Sequence, residues 1–110
     1  MKLEGTAKML RIHFGEDDKW KDKPLYRAIV EKCRELDIAG ATVFQGLEGY
    51  GESAELHRAH LLRHDLPIVI AIVDTAENLD RLIPAVEAMI GTGVLATSEV
   101  EMIRVEKPAR

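Results

Sequence analysis

Residues 66–75 read Leu-Pro-Ile-Val-Ile-Ala-Ile-Val-Asp-Thr, and the fold is decided here. Residues 68–73 are apolar without interruption, the pattern of a central strand covered on both faces. Pro67 can open such a strand, because the first residue can spare its N–H. The run is far below the roughly 18 apolar residues of a membrane-spanning helix. Thr75 after Asp74 reads as a helix N-cap, with Glu77 placed favourably for the helix dipole.

Downstream of the cap, Leu79, Leu82, Ile83, Val86, Met89 and Ile90 recur at helical spacing. Pro84 interrupts that stripe and is expected to kink the helix. Gly91-Thr92-Gly93 ends it, and residues 100–105 alternate as a last strand. Upstream, residues 7–14 alternate, with Leu10, Ile12 and Phe14 on one side and Arg11 and His13 on the other. Gly15 and the polar segment 16–22 follow, and Pro24 suits the first turn of a helix. Leu25, Ala28, Ile29, Cys33 and Leu36 form its apolar stripe, and Glu31 can pair with Arg27 and Arg34. Gly40 is the expected terminator. Residues 41–47 read as a second strand that dissolves into Gly46, Gly49 and Gly51 around Tyr50. These glycines permit positive φ or close backbone approach. Residues 48–65 stay open between a mobile loop and a short helix over 54–64.

The order is therefore β-α-β, loop, β-α-β. Two such units interleave into a four-stranded antiparallel sheet with both helices on one face, a ferredoxin-like α+β domain spanning residues 1–110. The second face carries no helix yet receives apolar residues, so oligomerisation is expected to cover it.

The chain has 110 residues, 15 Lys and Arg against 19 Asp and Glu, and a formal net charge of −4, which argues against a dedicated nucleic-acid binder. A single cysteine excludes an intrachain disulfide framework. Residues 1–6 lack the apolar core of a signal peptide, so a cytoplasmic location is the expectation.

The chemistry-bearing residues are few. His57, His60 and His64 are spaced like one helix face, and imidazoles so placed can hold zinc or copper, which makes metal binding the alternative reading. Glu16, Asp17 and Asp18 lack the interleaved ligands of a calcium loop and read as a solvated turn. Cys33 lies on a buried stripe with no base placed beside it. No nucleophile–base set or phosphate-loop signature occurs, so no enzymatic activity is expected.

Several pieces, taken in order, resemble a PII-like family of unknown function, domain family 190. They are the run from Ile12 to Glu16, Pro24-Leu25-Tyr26 with Ala28-Ile29-Val30, and Gly40-Ala41-Thr42-Val43. Gly49-Tyr50-Gly51, residues 57–63 and the segment from Asp65 to Asp74 continue the match. The resemblance implies a homotrimer that binds a small effector, usually an adenine nucleotide, in clefts between subunits. By position it places Gly46, Gly49, Tyr50 and Gly51 on one wall, Gly91, Thr92 and Gly93 on another, and Arg104 as an effector-binding arginine. It also implies signalling through the segment after strand two to a target such as a membrane transporter or channel. Two features depart from PII proteins: residues 94–98, Val-Leu-Ala-Thr-Ser, replace a lysine and further glycines, and Glu106 replaces a second arginine. Each lost charge-assisted bond is worth roughly 1.5–3 kcal/mol, which favours a nucleoside monophosphate or cyclic nucleotide over a triphosphate.

Overall fold

The structure is a computed structural model that describes residues 2–50, 56–58 and 65–108; for residues 2–5, 50 and 56–58 it describes the backbone. In chain order the elements are β1 (Lys2–Gly15), β2 (Lys19–Trp20), β3 (Lys23–Pro24), α1 (Leu25–Glu35) and β4 (Thr42–Gln45). Then come β5 (Glu48–Tyr50), β6 (Leu56–Arg58), β7 (Pro67–Asp74), α2 (Ala76–Glu87) and β8 (Val94–Val105). The main sheet has the order β4-β7-β1-β8, with every pairing antiparallel. This is the ferredoxin-like α+β arrangement expected from the sequence.

Alternation builds the core. Ile68, Ile70 and Ile72 of β7 are buried beside Leu10, Ile12 and Phe14 of β1. Leu25, Ala28, Ile29 and Cys33 of α1 close over them, together with Leu79, Leu82 and Val86 of α2. Val69, Ala71 and Val73 face the other way and are only half-buried. The double cover expected for this strand is thus met on one face by a single copy.

The helix ends follow local chemistry. Thr75 caps α2, its hydroxyl accepting from the Asn78 N–H at 3.1 Å. α1 stops five residues before Gly40. Asp37 takes φ 59°, the Asp37 N–H donates to the Arg34 carbonyl, and the Ile38 N–H donates to the Cys33 carbonyl. That bonding is a Schellman motif with Asp37 in the left-handed position and buried Ile38 packed back on the core. Glu31 pairs with Lys23 at 2.6 Å instead of with Arg27 or Arg34.

Three further expectations change. β1 and β8 are much longer than residues 7–14 and 100–105, because each completes the other's hydrogen bonding over 12 residue pairs. Residues 94–98 belong to β8, so the loop after α2 closes at Gly93. Leu56–Arg58 forms a strand paired with Glu48–Tyr50, not part of a helix.

Candidate functional site

Three chain segments converge where β1 and β4 end and β7 begins. The Gly46 N–H donates to the Pro67 carbonyl at 2.7 Å, and the Glu16 N–H donates to the Leu66 carbonyl at 2.8 Å. The Asp17 N–H donates to Asp65 Oδ1 at 3.1 Å, and Gln45 Nε2 donates to Glu16 Oε2 at 2.7 Å. The glycines here serve close approach: among the described residues no glycine has positive φ. A Cβ on Gly46 would lie 2.7 Å from the Pro67 ring, and one on Gly49 would lie 3.0 Å from it. The β5–β6 hairpin is therefore seated on Pro67, with Gly49 opposite His57.

Gly93 reaches the same end of the sheet from the other side. A Cβ there would meet the His13 carbonyl oxygen at 2.6 Å. Gly91 and Thr92 are exposed, and a Cβ on Gly91 would meet nothing within 4 Å. The structure thus brings Gly46, Gly49 and Gly93 to one end of the sheet. Tyr50 follows as the last residue of β5, and Gly51 lies outside the described residues. Of the candidate metal ligands, His57 is in a strand and not on a helix face, while His60 and His64 lie outside the described residues. Among the described residues no group of three His, Cys, Asp or Glu could hold a metal ion.

Arg104 does not join them within one chain. β8 is 12 residues long, so at about 3.3 Å per residue its ends lie roughly 36 Å apart, with Gly93 before one end and Arg104 near the other.

The electrostatics of the glycine-lined end come from residues that sequence reasoning set aside as a turn. Glu16, Asp17, Asp18 and Asp65 gather there, and Glu16 Oε1 is buried with no hydrogen-bond partner among the described residues. An open cavity of about 260 Å³ lies beside them, lined by Glu16, Asp17, Asp18, Lys19, Pro24 and Tyr26. None of the glycines lines it, and it is smaller than the 300–1,000 Å³ typical of ligand pockets. Only the density of acidic residues after Gly15 could have signalled this from sequence.

Away from this end, Asp74 is a charged residue buried at the edge of the core. Burial works to raise its pKa. The N–H groups of Ala39 and Thr75, the Asn78 amide and the Arg81 charge outweigh that and hold it below the usual 3.8. Its carboxylate ties the segment after α1 to the start of α2, accepting from Ala39 at 2.8 Å, Thr75 at 2.6 Å and Asn78 at 2.9 Å. Burial pushes the Cys33 thiol up to about 11, which leaves it protonated and a poor nucleophile.

The open sheet face can be read from the register. Phe44, Val69, His13 and Val94 form one row across all four strands, and Thr42, Ala71, Arg11 and Ala96 form the next. Phe44 is 54% exposed and Val94 is 42% exposed. Among the described residues, no helix is long and apolar enough to cross a membrane.

Comparison with known proteins places these features in context. Residues 7–102 match the model of the DUF190 family, described as "Uncharacterized ACR". A UPF0166 protein of Aquifex aeolicus is 35% identical over 98 residues, covering 87% of this chain and 92% of the relative. A UPF0166 protein of Methanocaldococcus jannaschii is 30% identical over 102 residues, covering 91% and 94%. Among solved structures, CPII is similar with a TM-score of 0.66 and 20% identity, over 91% of each chain. CPII is a nitrogen regulatory PII-like protein from Thiomonas intermedia K12, and it was solved bound to ADP, AMP and bicarbonate. At that identity the likeness shows the fold.

Proposed function

The chain belongs to the DUF190 family, and on that premise we propose that it is a non-enzymatic, PII-like regulatory protein. In this reading it binds an adenine nucleotide in clefts between copies of itself. The observation that carries the proposal is the separation of the two halves of the site. The close-packed glycine backbone at Gly46, Gly49 and Gly93 lies at one end of the sheet, and Arg104 lies roughly 36 Å away at the other. A site using both has to be built from two copies.

Three things support the reading. The row of Phe44, Val69, His13 and Val94, apolar but for the histidine, needs a cover that the described residues do not supply, and a homotrimer packed through that face would provide one. At Gly91, where a Cβ would meet nothing within 4 Å, backbone without a side chain lets a ligand approach main-chain groups closely, as phosphate binding requires. The fold neighbour CPII was solved with ADP and AMP.

Charge narrows the ligand. Glu16, Asp17, Asp18 and Asp65 surround the glycine-lined end, so a triphosphate would meet like charge there. A nucleoside monophosphate or cyclic nucleotide, held by Arg104 of a second copy, meets less. The β5–β6 hairpin springs from Gly46 and sits on Pro67, so occupancy of the cleft would bias the hairpin and the segment beyond it. That segment would be the surface read by a target, by family analogy a membrane transporter or channel.

A thermal-shift panel tests this with AMP, cyclic AMP, ADP, ATP, zinc and copper, with mass measured by light scattering. AMP or cyclic AMP should raise the melting temperature of an assembly of several copies, with ATP less effective. Stabilisation by zinc or copper alone, lost in a His57→Ala, His60→Ala variant, would replace this reading with metal binding.

A further inference from the structure

One tight turn holds two distant parts of the chain. Residues 15–18 close on themselves, the Asp18 N–H donating to the Gly15 carbonyl at 3.1 Å and the Gly15 N–H to Asp18 Oδ2 at 3.3 Å. The turn is also tied to the start of α1, because the Leu25 N–H donates to the Asp18 carbonyl at 2.8 Å. From this fixed base Glu16 and Asp17 each take hold of another segment. Glu16 Oε2 accepts from Gln45 Nε2 at 2.7 Å, and the Asp17 N–H donates to Asp65 Oδ1 at 3.1 Å. The Asp65 carboxylate is seated on the bare face of Gly15, where a Cβ would lie 2.7 Å from Oδ1. Gln45 precedes residues 46–64 and Asp65 follows them, so one turn holds both ends of the segment that carries the β5–β6 hairpin.

The hairpin needs such a hold. Its strands are three residues each, and a two-stranded ribbon is at best marginally stable in water without a packed face. Below it the backbone is fixed by the sheet, with Gln45 paired to Ile68. The Glu16–Gln45 contact joins two side chains and can part without breaking any strand pairing. Glu16 makes that contact at a cost. Its neighbours Asp17 and Lys19 are exposed, yet Glu16 Oε1 is buried with no hydrogen-bond partner among the described residues. A dry, unpaired carboxylate oxygen disfavours the closed arrangement. The contact is thereby left nearer to balance between made and broken than an ordinary hydrogen bond, as a two-state element requires.

We propose that the turn at residues 15–18 is a releasable clamp on the β5–β6 hairpin: Glu16 and Asp17 hold Gln45 and Asp65, and parting of the Glu16–Gln45 contact lets the hairpin move while the sheet stays intact. The clamp divides the molecule into a fixed part, the sheet and α1, and a part of lower local stability that can open by itself. It rests on the nucleotide reading only for the signal that would trip it: a ligand at the glycine-lined end would shift the hairpin by favouring one of two clamp states.

The test is amide hydrogen exchange on the full chain without nucleotide, in the wild type, in Gln45→Glu, and in Gln45→Glu combined with Glu16→Gln. The single variant sets one carboxylate against another, whereas the pair restores the contact with donor and acceptor exchanged. Amides of Glu48–Tyr50 and Leu56–Arg58 should exchange at least tenfold faster in the single variant and return to within about threefold of the wild type in the pair. Amides of Ile70 and Ile72, inside β7, should keep the wild-type rate in all three, because the sheet does not open. Unchanged hairpin exchange in Gln45→Glu, equal acceleration at Ile70 and Ile72, or a pair that does not restore protection would each overturn the inference. So would hairpin amides that are already unprotected in the wild type, since nothing would then be held. Because no nucleotide is present, a protein that binds no AMP would end the nucleotide reading and leave this result to stand or fall by itself.

Discussion

At Gly93 a Cβ would sit 2.6 Å from the His13 carbonyl oxygen, whereas at Gly91 it would meet open space. The two glycines look equivalent in sequence and differ only through what β1 places beside them. Gly93→Ala should therefore destabilise the fold by about 1–3 kcal/mol, the usual cost of overpacking, while Gly91→Ala stays within about 0.5 kcal/mol. Urea denaturation of the two variants checks this. Asp74 makes a second prediction at this scale. Its folded pKa lies below its ordinary 3.8, so its contribution to stability is fully present above that value and is lost as pH falls through the folded pKa. Unfolding midpoints measured from pH 6 down to pH 2 should drop below about pH 4 in the wild type, and less steeply in Asp74→Asn. That variant should already be weaker at pH 7 by about 1–3 kcal/mol, because an amide nitrogen would face the Ala39 or Thr75 N–H. Sequence showed Asp74 only as the residue before a cap. Its role depends on Ala39 being brought back to it, which no local pattern records.

Among the elements, those whose burial follows a strong period were legible. Leu10, Ile12 and Phe14 of β1, the stripes of both helices and the Thr75 cap lie where spacing put them. The ends were less legible, for identifiable reasons. α1 ends in a left-handed Asp37 and not at a glycine, because the Schellman bonds need a left-handed residue directly before Ile38. Asp37→Gly should then stabilise the protein by up to about 1 kcal/mol, read as an upward shift in melting temperature. β8 begins at Val94 because β1 offers partners from His13 onward, although Ala96, Thr97 and Ser98 show no strand period of their own. His57, His60 and His64 share the spacing of one helix face. At Leu56–Arg58, pairing with Glu48–Tyr50 won instead. Tertiary partners overrode local preference in both cases.

For the whole molecule, the sequence shows an unfinished surface but not its geometry. Apolar residues on a helix-free sheet face were legible, and so was the glycine-rich exit from strand two. The distance between that exit and Arg104 was not, since it depends on β8 running straight for 12 residues. That length bears on the proposed site: one copy would carry its two halves at opposite ends, and an assembly would be needed to unite them. In the proposed assembly the carboxylates around the glycine-lined end would limit the ligand's charge, and Arg104 of the next copy would supply a cation. The most direct measurement is an isothermal titration of AMP into the wild type and into Arg104→Ala, with mass followed by light scattering. The account predicts saturable binding to the wild-type assembly, weakened about ten- to hundredfold in the variant without loss of mass, as befits one charge-assisted contact. Wild-type protein that takes up no AMP at millimolar concentration, or a variant that binds it equally well, would contradict it.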